Sequence, residues 1–253
     1  MKRVMPPLNN LILFLLAASV ISALASCSGG EDVTSQVISA YGGEKGVESI
    51  LSFTGRGYLK VLPVGEKVTN LHLDLFQDHM RYRETYVEVH KGEVTNKWIW
   101  ISDGSTASSW SSTPETVNRP ALEYRYLEYR FPLILEWMSK YQGEAVANKG
   151  PGDHVLNYQL PEISVEVTVG RKSGYILKTV ISDRKNDLIY SEDYSDYRLI
   201  SDMPFPNRII KSLNGAPYCE FFIPVILYDQ APPDSVFAIS EKDTAGAVVE
   251  AVD

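Results

Sequence analysis

The residues able to carry chemistry are few, and their spacing serves none of the common reactions. His72, His79, His90 and His154 stand at no spacing by which imidazoles converge on zinc. No HExxH, CxxC, GxSxG or phosphate-cradling glycine loop occurs. His72 falls on the polar side of an alternating stretch, the place for a surface imidazole. The run "SEDYSD" brings Glu192, Asp193 and Asp196 together, as a calcium site or a pair of catalytic carboxylates would. The same run on a strand is a solvated edge studded with charge, and that reading is preferred. Cys219, between Tyr218 and Phe221, reads as a small buried side chain rather than a nucleophile. Neither enzyme activity nor a metal or cofactor is expected.

Cys27, the second cysteine, has a different setting. Lys2 and Arg3 precede an apolar run from Leu11 to Ile21, too short for a permanent span of roughly 20 residues. Leu24, Ala25 and Ser26 then lead directly into Cys27. These four positions resemble the lipobox of bacterial lipoproteins. The resemblance implies a thiol acylated with fatty acid, cleavage before Cys27 and a further acyl group on the new amino terminus. Several chains hold a protein stably to a bilayer, whereas one holds it marginally. The alternatives are an ordinary secretory signal or an uncleaved anchor. Ser28 in the following position resembles the pattern that permits transfer to the outer membrane. The expected organisation is a signal peptide over 1–26, a tether over 27–32, one domain over 33–240 and a disordered tail over 241–253.

Removal of the signal would leave 22 basic and 32 acidic residues, a net charge of −10. That balance excludes nucleic acid as a partner, since phosphate binding rests on Lys and Arg. It also excludes docking on anionic lipid through a basic patch. With Cys27 acylated, Cys219 would have no disulfide partner, so packing must hold the core. A total of 15 Tyr and 4 Trp supply ample material.

The elements that must position these residues are mostly strands. Val33, Val37, Ile38 and Tyr41 fall at helical spacing, closed by "YGG"; a second short turn carries Val47, Ile50 and Leu51. From Phe53 the period becomes two. Leu71, Leu73 and Leu75 alternate with Asn70, His72 and Asp74. In "MRYRETYVEV", Met80 and Tyr82 oppose Arg81 and Arg83, and Glu84 spoils the alternation as a bulge would. "WIWISDGSTASSW" reads as a hairpin with a primed turn at Asp103 and Gly104. Leu122, Tyr126, Tyr129, Leu133 and Trp137 recur every three or four residues, which predicts an amphipathic helix divided at Pro132. Seven further strands follow, the penultimate one from Asn207, and "APPDSVFAIS" reads as an extended arm.

The order of "YGGEKGVESILSFTGRGYLKV", an "SDG" turn followed by Trp, the Arg-Pro helical segment and "YSDYRLISDMPFPNRIIKS" resembles the lipoprotein-localisation-factor superfamily over residues 33–238. Its members commonly have glycine in the turn occupied here by Ser201, Asp202 and Met203. The resemblance implies a mainly β fold: an unclosed antiparallel barrel of about eleven strands with a helical lid. By the same resemblance Leu59, Val61, Leu71, Leu73, Leu75, Tyr82, Trp98 and Trp100 line a cavity for acyl chains. Tyr126, Leu133 and Trp137 would close it from the lid. Function then follows as an expectation: a protein anchored in the cell envelope through Cys27, at the outer membrane facing the periplasm. It would bind a lipid or an acylated protein in lipoprotein transport or localisation. The alternative is a non-catalytic interaction module for an envelope protein partner, its interior filled by its own side chains.

Overall fold

The computed structural model describes residues 33–62, 69–112, 125–141, 146–148, 152–228, 232–238 and 249–251. The signal, the tether and most of the tail lie outside the described residues. Helix α1 covers 33–40 and α2 covers Gly43–Ile50. Gly42 and Gly43 separate them at φ 84° and 73°, a left-handed corner that side chains with a Cβ rarely adopt.

Strands β1 (Ser52–Val61), β2 (Thr69–Asp78), β3 (Arg81–His90), β4 (Glu93–Asp103) and β5 (Ala107–Ser111) form the first meander. A 3₁₀ turn, Leu127–Tyr129, and helix α3, Leu133–Lys140, make the crossover. The second meander runs through β6 (Val146–Asn148), β7 (His154–Gln159), β8 (Ile163–Val169), β9 (Ile176–Asp183), β10 (Leu188–Ile200), β11 (Met203–Leu213) and β12 (Ala216–Tyr228). β13 (Val249–Ala251), within the expected tail, pairs with β5.

All pairings are antiparallel, in the order β13-β5-β4-β3-β2-β1-β12-β11-β10-β9-β8-β7-β6, with β1 against β12 joining the two meanders. Thirteen strands are present among the described residues; eleven have five residues or more, the number expected. The two end strands do not meet, so the barrel is unclosed.

Its curl is demonstrated by one side chain. Glu84 on β3 and Glu192 on β10 lie five strand steps apart, roughly 24 Å along a flat sheet at ~4.8 Å per step. Both nevertheless bond the guanidinium of Arg130. The sheet must bend around the crossover segment for one guanidinium to reach both.

Alternation decides which side chains fill the concave face. Leu71, Leu73 and Leu75 are buried, as are Tyr82 and Trp100 on the neighbouring strands. They belong to one continuous core with Phe205, Phe221 and Ile223 from the far half and Leu133, Ile134, Trp137 and Met138 from α3.

Several local expectations are corrected. Glu84 marks no bulge: its pairs with Leu75 and Trp100 are in register, and it points inward with Tyr82. The Asp103-Gly104 corner is no two-residue primed turn, because Ser102 pairs with Ala107 and only Gly104 has positive φ. Instead the Asp103 carboxylate accepts from the backbone N–H groups of Ser105 and Thr106, both at 2.8 Å. The turn at Ser201 and Asp202 is the primed one, with φ of 50° and 65°, although neither residue is glycine.

Strand β11 starts at Met203, earlier than expected, and includes Pro204 and Pro206. Both lie where β11 pairs with β10 but not yet with β12, so the missing N–H groups break no ladder. Residues Asp234–Phe237 form a 3₁₀ turn rather than an extended arm, with Arg81 over the Phe237 ring at 4.8 Å.

Candidate functional site

The crossover segment shows why this interior is not uniformly apolar. A continuous helix from Leu122 would place Arg130 at the edge of the apolar stripe, four residues after Tyr126 and three before Leu133. In the described part of the crossover, however, Arg125, the 3₁₀ turn and α3 are helical and Arg130 is not. Between them Arg130 is extended, at φ −94° and ψ 154°. Its side chain lies inside the barrel, only 9% exposed.

Four charged side chains meet there. Arg130 Nε donates to Glu192 Oε1 at 2.8 Å and Nη2 to Glu84 Oε1 at 3.4 Å. Lys211 Nζ lies 3.8 Å from the same Glu84 oxygen. Glu84, Glu192 and Lys211 are each 1% exposed. Among the described residues, two positive and two negative charges thus cancel within a low-dielectric space, the arrangement that makes buried charge tolerable.

Aromatic groups orient them. Tyr190 and Tyr194 hydroxyls donate to the two oxygens of Glu192 at 2.6 and 2.8 Å. Arg130 Nη2 donates to the Tyr82 hydroxyl at 3.1 Å, and its guanidinium lies 5.2 Å from the Tyr82 ring and 5.8 Å from Trp100. Lys211 sits 4.1 Å from the Phe221 ring, within cation–π range. Burial is the first cause that drives the Tyr194 hydroxyl well above its usual pKa, and the adjoining Glu192 charge adds to it. Tyr194 therefore stays protonated and a donor.

A second polar anchor lies at the start of the crossover. Tyr126 donates to Asp183 Oδ2 at 2.8 Å, and Arg125 approaches the same oxygen at 3.4 Å. Burial acts to raise the Asp183 pKa. Donation by Tyr126, Asn186 and the backbone N–H groups of Asn186 and Lys185 outweighs it and holds the carboxyl at about 2.

Beside the four charges is a cavity of about 20 Å³, bordered by Phe53, Leu75, Tyr82, Arg130, Glu192 and Lys211 among others. That is room for about one water molecule, far below the roughly 300 Å³ at which small-molecule sites begin.

The residues expected to line an acyl cavity are brought together. Leu59, Leu71, Leu73, Leu75, Tyr82, Trp100, Tyr126, Leu133 and Trp137 are buried in one core, with Val61 and Trp98 partly buried against it. Of these, Leu75 and Tyr82 border the small cavity. Glu192 is corrected from a solvated edge to the buried centre of the cluster, whereas Asp193 keeps an exposed ion pair with Lys178 at 3.0 Å. Cys219 is buried, as expected. Cys27 lies outside the described residues. Glu84, Arg130 and Lys211 were not anticipated. The available signal was parity: Glu84 shares Tyr82's side of its strand, and Lys211 shares Ile209's.

No family profile matches the chain, and no curated protein does. Solved structures do. An outer membrane lipoprotein-sorting protein domain from Vibrio parahaemolyticus aligns at 9% identity and TM-score 0.50, over 83% of this chain and 97% of that one. A DUF1329 family protein from Desulfovibrio piger aligns at 11% identity and TM-score 0.53, over 84% and 97%. A LolA superfamily protein from Nitrosomonas europaea aligns at 11% identity and TM-score 0.49, over 79% and 96%. The first two carry the likeness, which at such identities is one of fold alone. The half-barrel architecture expected from the sequence resemblance is the one the chain has.

Proposed function

We propose that this protein is a non-catalytic acyl-binding component of the cell envelope, held to a membrane through lipidated Cys27, in a state where its lid occupies the ligand's place. The observation that carries this reading is the lid's composition. Leu133, Ile134, Leu135, Trp137 and Met138 are all buried over the concave face of the sheet. They stand where the resemblance puts acyl chains, beside Leu59, Val61, Leu71, Leu73, Leu75, Trp98 and Trp100.

The energies of exchange match. Exposing five large apolar side chains costs roughly 8–15 kcal/mol, at ~1.5–3 kcal/mol each. A sixteen-carbon chain buried in their place returns about 12 kcal/mol, at ~0.8 kcal/mol per methylene. Lid displacement by an acyl chain is therefore near balance, as a protein that must also release its cargo requires. Tyr126 stays on the sheet side through Asp183, so the segment after it is the part that swings.

The test is uptake of a fluorescent fatty acid by the purified protein, monitored with tryptophan emission and by native mass spectrometry. Saturable binding near one per chain with a changed tryptophan signal is expected; recovery of empty protein throughout would overturn the reading.

The filled interior favours a second reading, an interaction module for an envelope partner. Tyr58, Phe222, Val225 and Leu227 support it, being exposed apolar residues across the outer side of the β1–β12 seam. Absence of acyl uptake from well-folded protein would select this alternative.

A further inference from the structure

The four-charge cluster contains more than a lid needs in order to pack, and its parts divide unequally between lid and sheet. Glu84, Glu192 and Lys211 belong to strands β3, β10 and β11, and only Arg130 belongs to the crossover. If the lid carries Arg130 away, the three that remain sum to one negative charge. Lys211 stays beside Glu84 at 3.8 Å, and Glu192 loses its cation.

The vacated place is already built. Tyr190 and Tyr194, on β10 itself, fix both oxygens of Glu192 without help from the lid. Tyr82 and Trp100, packed edge to face at 5.1 Å, remain as walls 5–6 Å from where the guanidinium sat. Carboxylates within aromatic walls are the chemistry that recognises ammonium and guanidinium groups. An anionic head would meet two carboxylates and a single lysine already engaged with one of them. The surrounding Phe53, Leu75, Phe205 and Ile223 would receive an apolar chain.

We infer that Glu84 and Glu192, walled by Tyr82 and Trp100, form a cation-binding box in which Arg130 stands in for the head of the ligand, and that the preferred ligand is an amphiphile carrying an ammonium group. The inference rests on the lid-exchange reading above and adds the polarity of the ligand to it.

The experiment compares decylammonium, decanol and decanoate, with butylammonium as the amine lacking a long chain, by calorimetry on the wild-type protein and on Arg130→Ala. In the wild type, decylammonium should bind at least tenfold tighter than decanoate, with decanol between them and butylammonium not detected. Arg130→Ala, whose resident cation is gone, should bind decylammonium about tenfold tighter again. Adding Glu192→Gln to it should erase the preference for the cation. Equal binding of all three ten-carbon probes overturns the cation box and leaves acyl binding standing, whereas binding of none of them overturns both. Butylammonium binding as tightly as decylammonium would overturn the amphiphile and leave a site for free amines. Should Arg130→Ala fail to fold, the wild-type series alone decides, since a preference for decanoate or no preference refutes the inference.

Discussion

Replacing Glu192 by Gln removes one charge from a cluster that balances at zero while changing its volume little. Arg130 then keeps Glu84 at 3.4 Å but loses its shortest ion pair, at 2.8 Å. Tyr190 and Tyr194 both donate to Glu192, and the amide NH2 of Gln cannot accept from one of them. Breaking a buried pair from one side costs about 3–5 kcal/mol, because a desolvated charge is left behind. With a urea slope of ~2–3 kcal/mol/M, the unfolding midpoint should fall by roughly 1–2.5 M. Arg130→Met should cost a similar amount, because it leaves Glu84 and Glu192 facing Lys211 alone.

The double variant decides the matter. With both partners gone, the remaining Glu84 and Lys211 form a neutral pair, so the double variant should be at least ~2 kcal/mol more stable than the two single losses added together. Urea titrations of the four proteins at neutral pH measure the coupling directly. Additive losses, or single losses below ~1 kcal/mol, would show that the four charges do not share one desolvated space, and the cluster could not be the lid's attachment.

The Asp183 carboxyl, held at about 2 against an ordinary 3.8, contributes stability above pH ~4 that is lost as pH falls through 2. Asp183→Asn should therefore cost about 2 kcal/mol at neutral pH and flatten the acid limb between pH 4 and 2, read by urea midpoints across that range. Gly57→Ala would set a Cβ 1.9 Å from the Phe222 carbonyl oxygen and force the β1–β12 seam apart. A loss of about 1–3 kcal/mol is expected, seen as a melting temperature lower by roughly 3–10 °C. Cys27→Ser should move the protein from the membrane fraction to the soluble fraction after cell breakage, and retention in the membrane would refute anchoring by acylation.

The sheet was legible wherever one side of a strand is apolar and the other wet. Leu71, Leu73 and Leu75 report their own strand because burial on one face imposes a period of two. Glu84 was misread, and Lys211 passed over, because an inward charge was treated as an interruption of the alternation. What satisfies them is an arginine and a glutamate distant in sequence, brought near only by the curl of the whole sheet. Arg130 escaped notice for a related reason. The stripe from Tyr126 to Trp137 is real in its apolar members, all buried, yet the chain passes from a 3₁₀ turn through an extended Arg130 into α3 rather than forming one helix. A count of apolar periodicity scores only apolar members, so a charged residue four after Tyr126 and three before Leu133 passes unseen although it shares their spacing. Turn chemistry failed the other way: Ser201 and Asp202 adopt the left-handed region that was assigned by residue type to Asp103-Gly104.

A filled interior and a carrier's interior are not opposites on this architecture. An unclosed barrel with Leu71, Leu73, Leu75 and Trp100 on its concave face cannot leave that face bare, because water would meet a contiguous apolar surface of the kind that drives association. Nor can Glu192 be left without a cation so far from solvent. The crossover segment answers both demands at once: α3 supplies apolar groups and Arg130 supplies charge. A ligand that displaces it must do the same, which is why an acyl chain alone would leave Glu192 uncompensated and a chain bearing an ammonium group would not. The energetic requirement for emptying this barrel thus selects the composition of what may fill it.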